Sequence, residues 1–579
     1  MTLIPEKGKV YIPLIILCAL ELLLFLGASP FNTRGEPREA VVAMSMLQDG
    51  NWILPVNNGD EIAFKPPLLH WLVAIFSWLA GGISEFTSRL PSALAGTAMV
   101  VATYGFFARR KDTTVAMVAA LVTLTNFEVH RAAMTCRVDM LLSALTLLAF
   151  FALYRWGERG LRGLPAVGLL CLAGAALTKG PVGVVLPCGG VALYLWLRGQ
   201  ERFLRLVWKF ALVALLALVP LGLWYWAAYN QPHGGDRFLM LIYEENVLRF
   251  TGQMTYEAHV NPWYYNVHTI LSGMLPYSLL LVCAIPLGIK ALLKSKPSTW
   301  WGRLRQSRPL AALRRMNEAD CFALVSFAVI FVFYCIPSSK RSVYLLPLYP
   351  FVSYFTARFM LWLNERHTAV VRTVGLTLAV ATFAVTLVFI AVQAGLVPDS
   401  IFSGRHAAEN IAYMHAIGDL PINFKTYLLV ALPALLAVSY CTYARQARPF
   451  LLIGIVFTLF VSLTGLYQPA VMHIKSDRSV ADRIAEVVPE GKIYSYRTDV
   501  LEANRMHPFT INFYLNDRII PIDKAQPLPQ SGYLVAGDDA IESFRQVYPQ
   551  YTDSLVYDSH HRSCDDKRVV RLYHISQGQ

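Results

Sequence analysis

The sequence predicts a polytopic α-helical membrane protein of about 13 transmembrane helices, followed by a small C-terminal α/β or α+β extracytoplasmic domain. Three observations predict it. Hydrophobic residues make up 55% of the 579 and charged residues only 15%, against roughly 25% charged in soluble proteins; several soluble domains could not be clothed from that. Apolar runs long enough to cross a bilayer recur from residue 11 to residue 467. Beyond 468, short β-branched and aromatic runs such as KIYSY, RIIPI, GYLVA and VVRLYHI alternate with amphipathic ones such as SVADRIAEVV. The chain therefore divides into a transmembrane domain, 1–467, and a C-terminal domain, 468–579. The net charge of +13 would suggest an acidic partner in a soluble chain. In a membrane chain it marks cytoplasmic loops and anionic headgroups, so membrane lipids and no nucleic acid are expected.

Taken in order, the run from Tyr11 to Leu26 reads as an uncleaved first span rather than a signal peptide, because so many apolar segments follow it. Further spans are predicted at 88–108, 113–130, 138–154, 163–178, 182–197, 206–228, 270–292, 320–336, 341–362, 372–395, 426–443 and 449–467. With the N-terminus inside, every strongly basic short loop falls on the cytoplasmic side, as the positive-inside bias requires. These loops contain Arg109, Arg110 and Lys111; Arg155, Arg159 and Arg162; Arg198, Arg202 and Arg205; the run from Lys290 to Arg315; Arg366 and Arg372; and Arg445 and Arg448. The segment 66–82, PPLLHWLVAIFSWLAGG, is short and opens with two prolines. Counting it as a span would invert the first three basic loops, so it is read as an interfacial or re-entrant helix at the outer surface. Segments 29–87, about 229–269 and the C-terminal domain then lie outside. The nine cysteines show no metal-ligand spacing or disulfide framework.

Charge in or near hydrocarbon is expensive and usually paired or functional, so the polar groups at outer span ends carry the information. Glu36 and Glu39 stand where a helix begins, which suits a helix-dipole role, but Arg34, Arg38, Trp52, Lys65 and the PPLLHW helix share their side of the membrane. Asp139 opens a span next to His130, Arg131 and Arg137; it caps that helix, pairs with Arg137, or does chemistry. Two outer carboxylates from different segments suit a transferase in which one activates or orients an acceptor. Lys65, Lys179 in LTKGPVG, and Lys340 with Arg341 in PSSKRSVYLLPLYP are basic groups at outer ends. One alone would be a snorkelling residue; several together favour a site for a departing phosphate. Neither GxxxxGK[ST] nor GxGxxG occurs in the chain, so a nucleotide-powered reaction is not indicated.

The order of first outer loop, KPPLLHW, span-opening Asp139, LTKGPVG, YLLPLYP and a modest outer C-terminal domain resembles the polytopic, lipid-phosphate-sugar-dependent glycosyltransferases of the protein O-mannosyltransferase superfamily. Within it the chain looks most like the bacterial lipid A 4-amino-4-deoxy-L-arabinose transferase family. That family has an Asp-Glu pair in the first outer loop; here the matching text is Gly35-Glu36-Pro37-Arg38-Glu39-Ala40, so Gly35 replaces the Asp. Phe64 stands where an acid commonly precedes the lysine. The resemblance implies Glu36 and Asp139 as catalytic acids and Arg38, Lys65, Arg131, Lys340, Arg341 and Tyr344 as substrate-binding residues, Tyr344 serving equally well as packing. It implies an undecaprenyl (polyprenyl) phosphate sugar donor, 4-amino-4-deoxy-L-arabinose as a first candidate sugar, and lipid A or another glycan as acceptor. The site would face the periplasm from a bacterial inner membrane. No cofactor is called for by the residues; the family leaves a divalent metal open. Other classes would be transfer of another sugar to protein or glycan, a polyprenyl-lipid flippase or ligase, or a transporter, although midplane charges and internal repeats are not evident.

Overall fold

The structure, a computed structural model, describes residues 10–59, 61–63, 65–248, 251, 253, 260–294, 309–442, 448–496, 508–522, 527–537, 540–565 and 567–578. Phe64, Arg445 and much of the basic run between Lys290 and Arg315 lie outside them. Up to Lys475 the described chain is almost wholly helical. Its first eleven helices are α1 (Tyr11–Leu22), α2 (Gly35–Asp49), α3 (Leu68–Leu79), α4 (Glu85–Arg110), α5 (Thr113–Leu124), α6 (Phe127–Ala133), α7 (Val138–Glu158), α8 (Ala166–Lys179), α9 (Val182–Leu197), α10 (Phe203–Tyr229) and α11 (Gly235–Tyr243). Among the described residues, seven helices are long and apolar enough to cross a membrane: α4, α7, α10, Glu318–Cys335, Thr368–Gln393, Phe424–Thr442 and Arg448–Lys475. Shorter apolar helices, among them α1, α5, α8 and α9, accompany them.

Helix α10 shows why this is a membrane body. Leu206, Phe210, Val213, Ala217, Leu221, Trp224 and Ala228 are buried, a stripe with steps of three and four that follows one helix face. The other face exposes Leu204, Trp208, Leu215, Leu223 and Trp226. A helix apolar on both faces needs a partner on one and an apolar solvent on the other.

Local chemistry sets the helix ends. Ser84 and Thr87 form a capping box at α4, Asp112 accepts from the Thr114 and Val115 amides at α5, and Asn317 accepts from the Ala319 amide. Three predicted runs are interrupted. Asn126 splits 113–130, donating to the Val122 and Thr123 carbonyls that end α5 while accepting from the Val129 amide that starts α6. The run 270–292 divides into Tyr264–Gly273 and Leu279–Lys294 around Pro276, which has no N–H to continue a helix. The run 341–362 opens as a 3-10 turn, Ser342–Leu348, containing Pro347, before the helix Tyr349–Arg366.

Helix α7 carries Asp139 at one end and Glu158 at the other, about 28 Å apart at 1.5 Å per residue. The Glu158 end is closed by ion pairs: the basic residues that end α4 are neutralised, Arg110 by Glu158 at 2.6 Å and Lys111 by Asp320 at 3.2 Å, and Arg358 of the helix Tyr349–Arg366 joins Asp320 at 2.7 Å. Beside them sits an aromatic core in which Phe106 stacks on Phe151 at 4.1 Å and Phe107 on Tyr354 at 4.0 Å. The Asp139 end holds the site described below.

After Lys475 the fold changes to a five-stranded mixed sheet in the order β4-β3-β5-β7-β6, from β3 (Ile493–Tyr496), β4 (Ile519–Ile522), β5 (Ser531–Gly537), β6 (Tyr551–Arg562) and β7 (Val569–Gln577). β3 pairs in parallel with β4 and β5, while β7 runs antiparallel to β5 and β6. Alternation along the strands covers both faces. Ile493, Val535, Val570 and Leu572 pack under Ile484 and Ile511, whereas Tyr496, Leu534, Tyr573 and Ile575 pack under Ile541 and Phe544.

This unit sits directly on α2. Phe513 packs against Phe31, Ala40, Val41 and Met44, and Ser476 donates to the Phe31 carbonyl at 2.5 Å. The opposite side of α2, with Val42, Ala43 and Met46, belongs to the membrane core. The turn between β1 (Val56–Asn57) and β2 (Glu61–Ile62) completes the contact. At Gly59, with φ +86°, a Cβ would stand 2.6 Å from Pro521, so both the left-handed backbone and the close approach require glycine.

Candidate active site

The first turns of α2 present Glu36 and Glu39, three residues apart and facing different partners. Glu36 is 4% exposed. Arg89 of α4 grips it through Nε at 2.8 Å and Nη2 at 3.1 Å, and the Cys136 amide donates to the same carboxylate at 2.9 Å. Arg89 Nη1 in turn donates to the Leu26 and Ser29 carbonyls. Glu36 therefore does not face a substrate as the sequence suggests. It ties α2 to α4 and to the loop before Asp139, because a buried guanidinium needs a carboxylate counter-charge.

Glu39 is the acid that enters the cluster. Lys65 Nζ donates to its Oε1, His70 Nε2 lies 2.9 Å from its Oε2, and Arg38 reaches Oε1 at 3.5 Å. His70 Nδ1 is buried with no hydrogen-bond partner among the described residues, so the ring proton belongs on Nε2, donated to Glu39. Burial opposes ionisation of Glu39, yet Lys65, the His70 hydrogen bond and Arg38 hold its carboxyl well below the usual carboxylate range. Burial and the nearby Arg38 lower Lys65 beneath the ordinary lysine value, against the pull of Glu39. The Lys65 segment is fixed from behind: Trp71 Nε1 donates to the Trp52 carbonyl at 2.7 Å and Trp224 Nε1 to that of Ile53 at 3.1 Å.

Asp139 forms a second pair of the same kind. It is 7% exposed and accepts from Lys179 Nζ at 2.5 Å; Lys179, at the end of α8, lies 4.5 Å from the centre of the Tyr344 ring. Lys65 and Arg137 stand within electrostatic reach of Asp139, Arg341 within reach of Lys179, and Glu245 within reach of Lys65. Lys65, Asp139, Arg341 and Tyr344 are thus brought together as the sequence suggests, with Arg38 at the half-exposed rim. Lys340 is not. It is 5% exposed and donates to the Pro337 carbonyl at 2.5 Å, its ammonium held by its own loop because a buried cation must find an acceptor. Arg131 pairs with Glu128 at 2.7 Å, with Ser342 Oγ at 3.5 Å.

The sequence alone does not place Glu39 or His70 in the site, and Lys179 stands out there only as a basic group at an outer span end. A signal for Glu39 was present: it lies four residues after Gly35, hence on the same helix face one turn on. Among the described residues one group could hold a metal, Asp477 with Cys564 and Asp565, their ligating atoms within 4.8 Å of one another. It belongs to the sheet unit, and Asp477 already accepts from Ser563 Oγ at 2.6 Å and the Cys564 amide at 3.1 Å.

Chemically, the arrangement offers two oriented carboxylates and a larger number of cations around one locus, which suits an anionic leaving group rather than a neutral one. Residues 64–226, which hold Lys65, Asp139 and Lys179, match the family model described as dolichyl-phosphate-mannose-protein mannosyltransferase. An uncharacterized protein of Aquifex aeolicus (strain VF5) is 29% identical over 380 residues, 64% of this chain and 68% of that protein. The undecaprenyl phosphate-alpha-4-amino-4-deoxy-L-arabinose arabinosyl transferase of Shewanella sediminis is 29% identical over 291 residues, 48% of this chain, and the match spans about half (51%) of that relative's length. The crystal structure of ArnT from Cupriavidus metallidurans bound to undecaprenyl phosphate has the same fold, with a TM-score of 0.68 at 17% identity and 98% of each chain covered. By sequence and by fold, the chain is similar to the lipid-phosphate-dependent glycosyltransferases of the protein O-mannosyltransferase superfamily, and within them to the bacterial aminoarabinose transferases.

Proposed function

We propose that this protein transfers a sugar, with 4-amino-4-deoxy-L-arabinose the first candidate, from undecaprenyl phosphate to lipid A or a related acceptor. The reaction takes place at the periplasmic face of a bacterial inner membrane. About 13 spans carry it, with the C-terminal domain, 468–579, in the periplasm. The observation that carries the reading is the pairing of Lys65 with Glu39 and Lys179 with Asp139 in one cationic cluster at the end of the bundle opposite the neutralised basic loops.

The sugar is held by its anomeric carbon to the lipid phosphate. An acceptor oxygen attacks that carbon, the carbon–oxygen bond to phosphate breaks, and the lipid phosphate leaves with the bonding electrons. Lys65, Lys179 and Arg341 stabilise the charge that develops there, with Arg38 and Arg131 at the periphery. Asp139 and Glu39 orient the acceptor, and where the acceptor is a hydroxyl one of them takes its proton. Tyr344 packs Lys179 and lines the sugar site. The likeness to transferases whose names include undecaprenyl phosphate supports the donor. The test is purified protein in lipid with a panel of polyprenyl phosphate sugars and acceptors: transfer is expected with wild type and lost in Lys65→Gln and Asp139→Asn, and turnover retained in both substitutions would overturn the assignment.

A further inference from the structure

Position 35 is a glycine at the start of α2, and the structure shows what occupies the space beside it. A Cβ built there would stand 2.0 Å from Nη2 and 2.6 Å from Cζ of Arg137. The Arg137 guanidinium therefore lies against the first turn of α2, in a volume that any larger residue at 35 would claim. Arg137 precedes α7 in extended backbone and its side chain does not cap that helix.

Three arginines of this region are committed, Arg89 to Glu36, Arg131 to Glu128 and Arg38 to Glu39, whereas Arg137, like Arg341 across the cluster, is not. The Arg137 guanidinium makes no hydrogen bond and no ion pair among the described residues, although it is partly buried and within electrostatic reach of Asp139. The acid within its electrostatic reach is already taken, Asp139 by Lys179. A half-buried guanidinium with its planar fork unused fits a phosphate group, which accepts two parallel N–H bonds from it.

We propose that Arg137 is a phosphate-binding residue of this site, and that Gly35 makes room for it. The inference rests on the proposed function for its ligand. The phosphate comes either from the lipid-linked donor or from the acceptor, and both present the same oxygens.

The experiment uses the full-length protein in lipid nanodiscs. It measures binding of undecaprenyl phosphate, and separately of lipid A with and without its phosphates, to wild type, Lys65→Gln, Arg137→Gln, Gly35→Ala and Gly35→Asp. Loss of a bidentate charged contact should weaken one of the two phosphate ligands by roughly ten- to hundredfold, and the ligand affected identifies the source. Gly35→Ala suits the helical backbone and leaves the melting temperature at or above wild type, but its Cβ displaces the guanidinium and weakens the same ligand. Gly35→Asp captures Arg137 in an ion pair, so Gly35→Asp combined with Arg137→Gln, measured beside the single variants, should bind no worse than Arg137→Gln alone. If Arg137→Gln and Gly35→Asp bind both ligands as wild type does while Lys65→Gln loses them, the role of Arg137 is overturned and the proposed function stands. If wild type binds neither ligand, the proposed function falls and this inference with it.

Discussion

Glu36 and Glu39 are three residues apart, yet their partners give them opposite roles. Glu36→Gln leaves Arg89 buried without its counter-charge, which should cost about 3 to 5 kcal/mol and appear as a lower melting temperature in detergent. Glu39→Gln should leave the melting temperature closer to wild type while abolishing most transfer, since Lys65 loses the carboxylate that aims it. The same neighbourhood predicts a pH profile. Glu39 is held well below the usual carboxylate range, so it stays anionic through mildly acid pH and does not produce an acid limb there. Lys65 must be cationic to bind phosphate, and its lowered value means that the cation is lost as pH rises, earlier than for an ordinary lysine. Transfer rate against pH should therefore fall on the alkaline side before the free-lysine range, and Lys65→Arg should push that limb to higher pH. At this scale Lys65, Asp139 and Arg341 were legible, because a charge at a span end stands out against apolar sequence. Lys340 and Glu36 were not, because the sequence does not say that a carbonyl or an arginine from another helix has already claimed them.

Helix α2 is the element on which the site depends, held between the membrane core and the C-terminal sheet unit. Asp517 fastens it from the sheet side, accepting from the Asn58 amide at 3.0 Å, Asn512 Nδ2 at 2.6 Å and Ser45 Oγ at 3.1 Å. Burial pushes this carboxyl up from 3.8 to about 6, so the folded state binds the proton more tightly than the unfolded chain. The contribution of Asp517 to stability should then increase as pH falls from above 6 towards 4 and level off below. Comparing melting temperatures at pH 7.5 and 5, roughly the two sides of that titration, for wild type and Asp517→Ala checks it; the group-specific difference should vanish in the variant. Element existence was readable from apolar length and element ends often were not. Asn126 and Pro276 each divide a run that length alone joins, since the backbone hydrogen-bonding of one residue overrides the hydropathy of twenty.

Across the whole molecule, the sheet unit is packed onto the segment that carries Glu39 and leads to Lys65. A chain truncated after Lys475 would expose Phe31, Val41 and Met44, and it should still insert in the membrane but lose undecaprenyl phosphate binding in the nanodisc assay. The sequence by itself determined the apolar helical body, the existence of a differently textured C-terminal part, whose start the structure puts after Lys475, and several of the span ends where charge collects, because bilayer thickness and the cost of charge in hydrocarbon act on local composition. Only the tertiary structure decided which acid meets Lys65, that Lys179 pairs with Asp139, and that Arg137 fills the space above Gly35. Those outcomes depend on distances between helices far apart in the chain, and local composition carries no information about them.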